Sequence, residues 1–432
     1  MLNLKVLKGI WNNYIIPLFP IFILFYCLWP NMPQLYFLIL KWIVYFIVAY
    51  AILTKAKKFI YYMVSEPLIL ALTLLACLSV FWSTIPSVTL TTARNLLVLY
   101  FSAVYIAMTY DLKSLMRYLS IVLGISALFS FLLPTALPSY GFTITSSGGQ
   151  NKVGIFRHKN RLANAMAMGI LTLLNLRVIN KKLNLIILIS SMLSLFLLIT
   201  SQGKGALAAL LISLSFFPAY NVVTQREYGS KVILFVIFLY SFLALSVTAY
   251  FGLEYLVVDV LGKDFTLTGR TGMWDYLIER AMTKPLFGFG YGGFWQNSQE
   301  ALGVYKNQPW FKGALEGRGN AHSGYIELLL QVGFVGASLM AVSLVTTFYQ
   351  VFILLIKTQR SEYFWAIQFL LLLVLLNISE TNEAWLGNLS IGWLLYVAIA
   401  MSATMETRKL NQTFLHSENP YLRLGKKRSS LL

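Results

Sequence analysis

Residues able to do chemistry gather where this chain turns polar, from about Gly262 to Gly324. The ends of that interval read T-L-T-G-R-T-G-M-W, Thr266 to Trp274, and G-R-G-N-A-H-S-G-Y, Gly317 to Tyr325. Of three histidines in the chain, His322 alone lies here. A neutral imidazole can take a proton from a hydroxyl at physiological pH, which makes His322 a candidate general base, with a structural hydrogen-bonder as the plainer reading. Asn320 and Ser323 are close enough in sequence to fix its tautomer. Arg270 precedes a segment of about Gly272 to Thr283 in which Trp274, Leu277, Ile278 and Ala281 recur at helical spacing. Thr268 or Thr271 can cap that helix and Pro285 ends it. A guanidinium at a helix N-terminus suits a phosphate, and an ion pair with Asp275 or Glu279 is the structural alternative.

Two more basic sites lie outside that interval. In G-I-F-R-H-K-N-R, Gly154 to Arg161, with Lys152 just before, Arg157 can face a phosphate where a helix capped by Asn160 or a neighbour begins. Snorkelling toward lipid headgroups is the alternative for any of these cations. In T-S-Q-G-K-G-A, Thr200 to Ala206, Lys204 stands alone among small residues, which suits either close approach of a phosphate or an ordinary tight turn. The run G-F-G-Y-G-G-F-W, Gly288 to Trp295, has no preceding strand, so the dinucleotide fingerprint fails. It reads as a flexible aromatic turn able to stack on sugar or sit at headgroup level. Trp274, Trp295 and Asn320 are accordingly the acceptor-side candidates.

The elements that must position these residues are hydrophobic. The chain of 432 residues is 58% hydrophobic and 12% charged, far from the roughly 25% charged of soluble domains, so it reads as an all-α polytopic membrane protein. Apolar segments of about 16–23 residues are long enough to cross a bilayer. Twelve are counted: Tyr14–Trp29, Leu35–Leu53, Pro67–Phe81, Val88–Thr109, Tyr118–Leu133, Leu162–Val178, Leu183–Thr200, Ala206–Tyr220, Val232–Phe251, Phe334–Ile356, Tyr363–Ile378 and Leu389–Ala403. The organisation expected is nine spans with short loops over 1–251, a large loop over 252–323, three spans over 324–403 and a basic tail over 404–432. Met1 to Lys8 is short and basic and leads into two successive apolar runs, which reads as a retained first span.

With the N-terminus inside, Lys5/Lys8, Lys55/Lys57/Lys58, Lys113/Arg117, Arg177/Lys181/Lys182, Arg226/Lys231, Lys357/Arg360 and the tail all fall on the cytoplasmic side. Both termini are then cytoplasmic and the large loop faces outward. The net charge of +18 follows from this topology. In the loop itself seven Lys and Arg meet seven Asp and Glu, which excludes a nucleic-acid face. Cys27 and Cys77 lie in apolar runs and read as packing residues. The outer face has no D-x-D string and no His/Asp/Glu cluster at ligand spacing, so neither metal nor cofactor is expected. A glycan or lipid transporter would also explain twelve spans, but the halves show no inverted repeat and acids are scarce in the spans.

L-T-G-R-T-G-M-W, P-L-F-G-F-G-Y-G and A-H-S-G-Y-I-E-L-L-L-Q-V-G, in this order around a large outer loop, resemble the superfamily of O-antigen ligases and polymerases of O-antigen and exopolysaccharide. The resemblance covers nearly the whole chain and implies a GT-C-like bundle of about twelve helices with one large periplasmic loop, in the bacterial inner membrane. It implies that Arg270 matches the superfamily's loop arginine and His322 its essential histidine. Lys204 falls where ligases carry arginine, a point charge in place of a bidentate fork. I-F-R-H-K-N looks closer to exopolysaccharide-type polymerases.

The reaction implied is metal-independent, inverting transfer of glycan from undecaprenyl pyrophosphate to an acceptor sugar hydroxyl. Arg270, Lys204 and Arg157 would hold the diphosphate. The acceptor is a lipid-linked repeat for a polymerase, or lipid A-core for a ligase. Membrane lipids, a chain-length regulator and a flippase are the implied partners.

Overall fold

The computed structural model describes residues 15–29, 33–136, 141–144, 150–156, 158–176, 180–217, 270–296, 299–307, 319–381 and 383–418. Arg157, Thr268, the span expected at Val232–Phe251 and the end of the basic tail lie outside these residues. The described helices are α1 (Phe19–Leu28), α2 (Gln34–Met63), α3 (Pro67–Leu78), α4 (Pro86–Thr109), α5 (Leu112–Ala136), α6 (Lys159–Asn175), α7 (Lys181–Thr200) and α8 (Lys204–Leu214). After them come α9 (Arg270–Thr283), α10 (Gln299–Asn307), α11 (Gly324–Thr358), α12 (Ser361–Ser379) and α13 (Ile391–Glu418). The one described sheet is an antiparallel ribbon in which β1 (Phe142–Ile144) pairs β2 (Gln150–Lys152), Phe142 opposite Lys152.

This is an all-α membrane protein. Among the described residues α2, α4, α5, α7, α11 and α12 are long and apolar enough to cross a membrane, on six of the segments expected. Ile16–Leu28, Pro67–Phe81 and Lys204–Leu214 are shorter apolar helices. Burial ranks the long helices: 67% of the apolar stretch of α12 is buried against 17% of that of α7, so α12 is central and α7 a lipid-facing rim. Every residue from Trp393 to Met401 of α13 is buried as well, and the two helices share one core with α4, α5 and α6.

Polar groups inside the bundle are spent on joining helices. The Asn175 amide donates to Gln368 Oε1 (2.9 Å), Gln368 donates to the Ser213 carbonyl (2.9 Å), and Trp365 Nε1 donates to Thr172 Oγ1 (3.2 Å). α6, α8 and α12 are thereby fixed together, as hydrogen bonds across helices do where water is absent. At one end of the bundle Lys58 Nζ donates to the Met108 carbonyl, and Arg360 (3.6 Å) and Lys409 (3.3 Å) pair with Glu406. That is the basic end, where the lysine-bearing connections collect.

At the other end the Gly-rich turn behaves differently from expectation. α11 is broken at Gly333, whose φ of 63° and ψ of −164° belong to a region essentially closed to other residues. The turn from Pro285 to Gly290 fills the break: Phe289 N–H donates to the Leu330 carbonyl (2.8 Å), Gly290 N–H to Gln331 (3.1 Å), Phe334 N–H to Pro285 (2.7 Å) and Val335 N–H to Leu286 (3.2 Å). Non-helical backbone is thus satisfied by protein. Gly288, Gly290 and Gly292 all have positive φ, and Thr84 and Thr92 hydrogen-bond the carbonyls of Gly293 and Tyr291. The run is therefore a packed stitch, and its reading as a flexible turn is corrected. Its backbone groups supply what α11 loses at the break.

A Cβ on Gly333 would collide with the Leu286 main chain. Gly333→Ala is expected to cost roughly 1–3 kcal/mol from backbone strain alone, with the collision in addition. Gly124, mid-helix in α5, meets nothing closer than Ser190 Oγ at 3.7 Å, so Gly124→Ala should hold or raise stability. Thermal midpoints in detergent compare the two. Equal midpoints would mean that the break does not depend on glycine.

Candidate functional site

His322 sits at the start of α11, half-buried, with φ of 47°. A side chain other than glycine in the left-handed region is uncommon and costs about 1 kcal/mol or more unless its surroundings hold it. Here they do. The Ala321 N–H donates to Glu327 Oε2 (3.0 Å), and the Ala321 carbonyl accepts from Trp274 Nε1 (2.8 Å). The His322 N–H donates to Asn320 Oδ1 (3.0 Å), and Ser323 Oγ donates to the Asn377 carbonyl (3.4 Å). Two of the bonds are local, and those to Trp274 and Asn377 come from distant helices, so the histidine is fixed on several sides.

α9 closes one side. Met273, Leu277 and Ala281 are its buried stripe, while Ile278 is exposed, so the packed face lies one position round from the pattern read in the sequence. With Ala301, Phe289, Phe294 and Trp295 they form a small second core. Arg280 pairs with Glu279 (3.1 Å) and Glu300 (3.5 Å), tying α9 to α10. Arg270 is the first described residue of α9, one turn, about 6 Å, before Trp274. Thr271 lies inside the helix and is not its cap, which corrects one expectation.

The other side is the beginning of α6. The His158 side chain caps it, accepting from the Asn160 N–H (3.3 Å). Asn160 Nδ2 donates to Glu380 Oε1 (2.6 Å), and Thr381 Oγ1 donates to Asn320 Oδ1 (2.9 Å). The connection between α12 and α13 therefore joins the start of α6 to the histidine loop. Glu383, three residues on, accepts from the Gly392 N–H (2.7 Å) and from Ser390 (3.2 Å) at the start of α13. Burial pushes its carboxyl up to about 7, against the Gly392 N–H, the charge of Arg161 and Ser390, which favour the ionised form. Arg161 thus faces a protein carboxylate. Lys204 is exposed at the first residue of α8, and the preceding Gly203 presses on Ala163 of α6, with no room for a Cβ. Lys204 and the first turns of α6 are neighbours.

Of the residues picked out in the sequence, His322 and Asn320 are bonded directly and Trp274 bonds Ala321 between them, with Arg270 one turn away along α9. Lys204 lies against α6, and Arg157 is outside the described residues. Two readings change. Trp295 is buried, its indole N–H donating to both oxygens of Glu327 at 3.0 Å, so it is an internal brace and offers no sugar platform. Asn320 bonds the main chain of His322, and Ser323 bonds Asn377, so these bonds hold the loop, a role the sequence did not suggest for them. Glu327, Glu380, Thr381 and Glu383 are not among the residues picked out in the sequence, where Glu327 reads as one acid in an apolar run. The polar string Glu380 to Glu383 between two spans was the signal available.

The fold and this cluster define a polytopic membrane protein with a histidine, tryptophan and polar-capped helix ends facing one another at the end of its bundle. The O-antigen ligase family matches residues 189–341, which take in the second half of α7, α8, α9, α10 and the first half of α11. The chain is 28% identical over 286 residues to the exopolysaccharide production protein ExoQ of Rhizobium meliloti (strain 1021). That match covers 65% of this chain and 64% of the relative, short of two thirds of its length. Both findings support the resemblance to the superfamily of O-antigen ligases and polymerases.

Proposed function

We propose that the chain is a polymerase of a surface polysaccharide, moving a glycan from undecaprenyl pyrophosphate to a sugar hydroxyl at the periplasmic face of the bacterial inner membrane. One observation carries the reading: His322, in a strained and multiply held conformation, stands beside the helix that begins with Arg270. Strain held in place by surrounding bonds is a mark of functional positions. The basic end of the bundle would face the cytoplasm and the His322 end the periplasm.

In the reaction, the acceptor oxygen bonds to the anomeric carbon as the bond from that carbon to the pyrophosphate oxygen breaks. His322 takes the proton from the attacking hydroxyl. The electron pair leaves with the lipid pyrophosphate, whose charge Arg270, Lys204 and Arg157 neutralise. Attack opposite the leaving group inverts the anomeric centre. No metal takes part in this scheme. The donor's lipid tail would lie along the apolar helices.

The relative's name, an exopolysaccharide production protein, and Lys204 in place of arginine favour polymerase. The matched family's description favours the second reading, an O-antigen ligase acting on lipid A-core. Deletion of the gene followed by an envelope-glycan gel separates them. Loss of a polymerase leaves single repeats, loss of a ligase leaves polymer on its lipid, and loss of a transporter traps precursor inside. Only the first pattern sustains the proposal.

A further inference from the structure

We infer that Thr381 is a positioning residue for His322, through which the connection between α12 and α13 ties the histidine loop to the start of α6. The inference rests on the reading of His322 as the base.

Its physical content is a short chain of hydrogen bonds. An amide oxygen has two lone pairs, and both of Asn320's are occupied, one by the His322 N–H at 3.0 Å and one by Thr381 Oγ1 at 2.9 Å. The first bond holds the histidine's main chain at φ of 47°. That bond also decides which way the Asn320 amide faces, because a main-chain N–H can only donate and so must meet the oxygen, and the bond from Thr381 then holds the side chain in that place from the opposite element. Thr381 is in turn adjacent to Glu380, whose Oε1 accepts from Asn160 at 2.6 Å, in the first turn of α6. Asn377, near the end of α12, adds a second hold: its amide donates to the Glu383 carbonyl (3.0 Å), and its own carbonyl accepts from Ser323, next to His322. Gly324 has no room for a Cβ against the Asn377 amide, so α11 and α12 touch at this point.

Thr381 therefore lies between the His322 loop and the start of α6. Its hydroxyl does no chemistry. It acts through Asn320 on where the imidazole stands relative to an acceptor whose donor is held elsewhere. Misplacement of a reacting group by about 1 Å can cost on the order of 10²-fold in rate, and loss of one bond in a multiply held loop should cost less than that.

The test uses purified full-length enzyme with a synthetic lipid-linked repeat. Thr381→Val, which removes the donor at nearly constant shape, is expected to lower kcat about tenfold with KM for the donor unchanged. Thr381→Ser, which keeps the donor, should recover most of the rate. Asn320→Ala, which loses the His322 bond as well, should be at least as slow as Thr381→Val, and the double variant no slower than Asn320→Ala, since both break the same chain. Thr381→Ala replaces Thr381→Val if the latter does not fold. Wild-type kcat in Thr381→Val, or losses that multiply in the double variant, would overturn the inference. A fully active His322→Ala enzyme, measured alongside, would instead remove the reading on which it rests.

Discussion

His322→Ala should lower glycan transfer by about 10²- to 10⁴-fold while leaving donor binding in place. A sugar hydroxyl is a poor nucleophile at neutral pH, and a positioned base contributes about that factor. The conformation at His322 complicates a simple alanine test, because φ of 47° strains alanine as well. Asparagine adopts the left-handed region several times more readily than most residues, so His322→Asn removes the imidazole with less disturbance of the loop. Both variants should accumulate unpolymerised lipid-linked repeats, and both should retain the wild-type thermal midpoint to within a few degrees. The wild-type rate should also fall on the acid side, where imidazole gains a proton and can no longer accept one. Assay from about pH 5 to 9 with synthetic donor reads both effects. A His322→Gln enzyme with full activity and an unchanged pH profile would end the general-base proposal and leave His322 as a tie between its loop and α11.

Much of the fold was legible because bilayers demand it. Runs such as Leu35–Leu53 and Leu183–Thr200 can be read directly, since a lipid-facing helix must be apolar over its whole length, and α2 and α7 fall on them. The start of α11 was not legible. Hydropathy placed it at Phe334, whereas the helix begins at Gly324 and breaks at Gly333. The turn containing Gly288 was likewise misread, because its role is to bond the main chain of a helix more than forty residues away in sequence. A glycine pattern states what backbone is allowed. It does not state which partner makes that backbone necessary.

The site divides in the same way. His322, Arg270 and Lys204 stood out as polar groups in an apolar chain. The residues that hold them did not, since Glu327 reads as one acid in I-E-L-L-L-Q and Thr381 as one hydroxyl in a short connection. Their bonds show them to be structural braces: Glu327 alone accepts from Ala321 N–H, Trp295 Nε1 and Gln331 Nε2. Trp295 illustrates the converse error. An aromatic residue in a glycine-rich run suggests a stacking surface, but a buried carboxylate needing donors claimed its N–H.

Arg270→Ala should lower turnover by on the order of 10²-fold or more, equivalent to about 2.7 kcal/mol of lost transition-state stabilisation. In the proposed reaction the leaving pyrophosphate gains charge as its bond to the anomeric carbon breaks, and a cation already in place responds without reorganisation. The helix that carries Arg270 is well anchored: Met273, Leu277 and Ala281 are buried, and Trp274 bonds the carbonyl just before His322. The backbone at Arg270 is thus held relative to the proposed base. Arg270→Lys should restore only part of the rate, because an ammonium supplies charge without the two-pronged geometry of a guanidinium. Lys204→Gln is the companion variant. Its side chain is exposed at the start of α8, and if it only shapes a turn the substitution should be harmless, whereas a diphosphate ligand should show a raised KM for the donor. Full activity of Arg270→Ala in membranes, at matched protein level, would leave Arg270 as a structural ion pair and move the diphosphate site elsewhere on the end of the bundle.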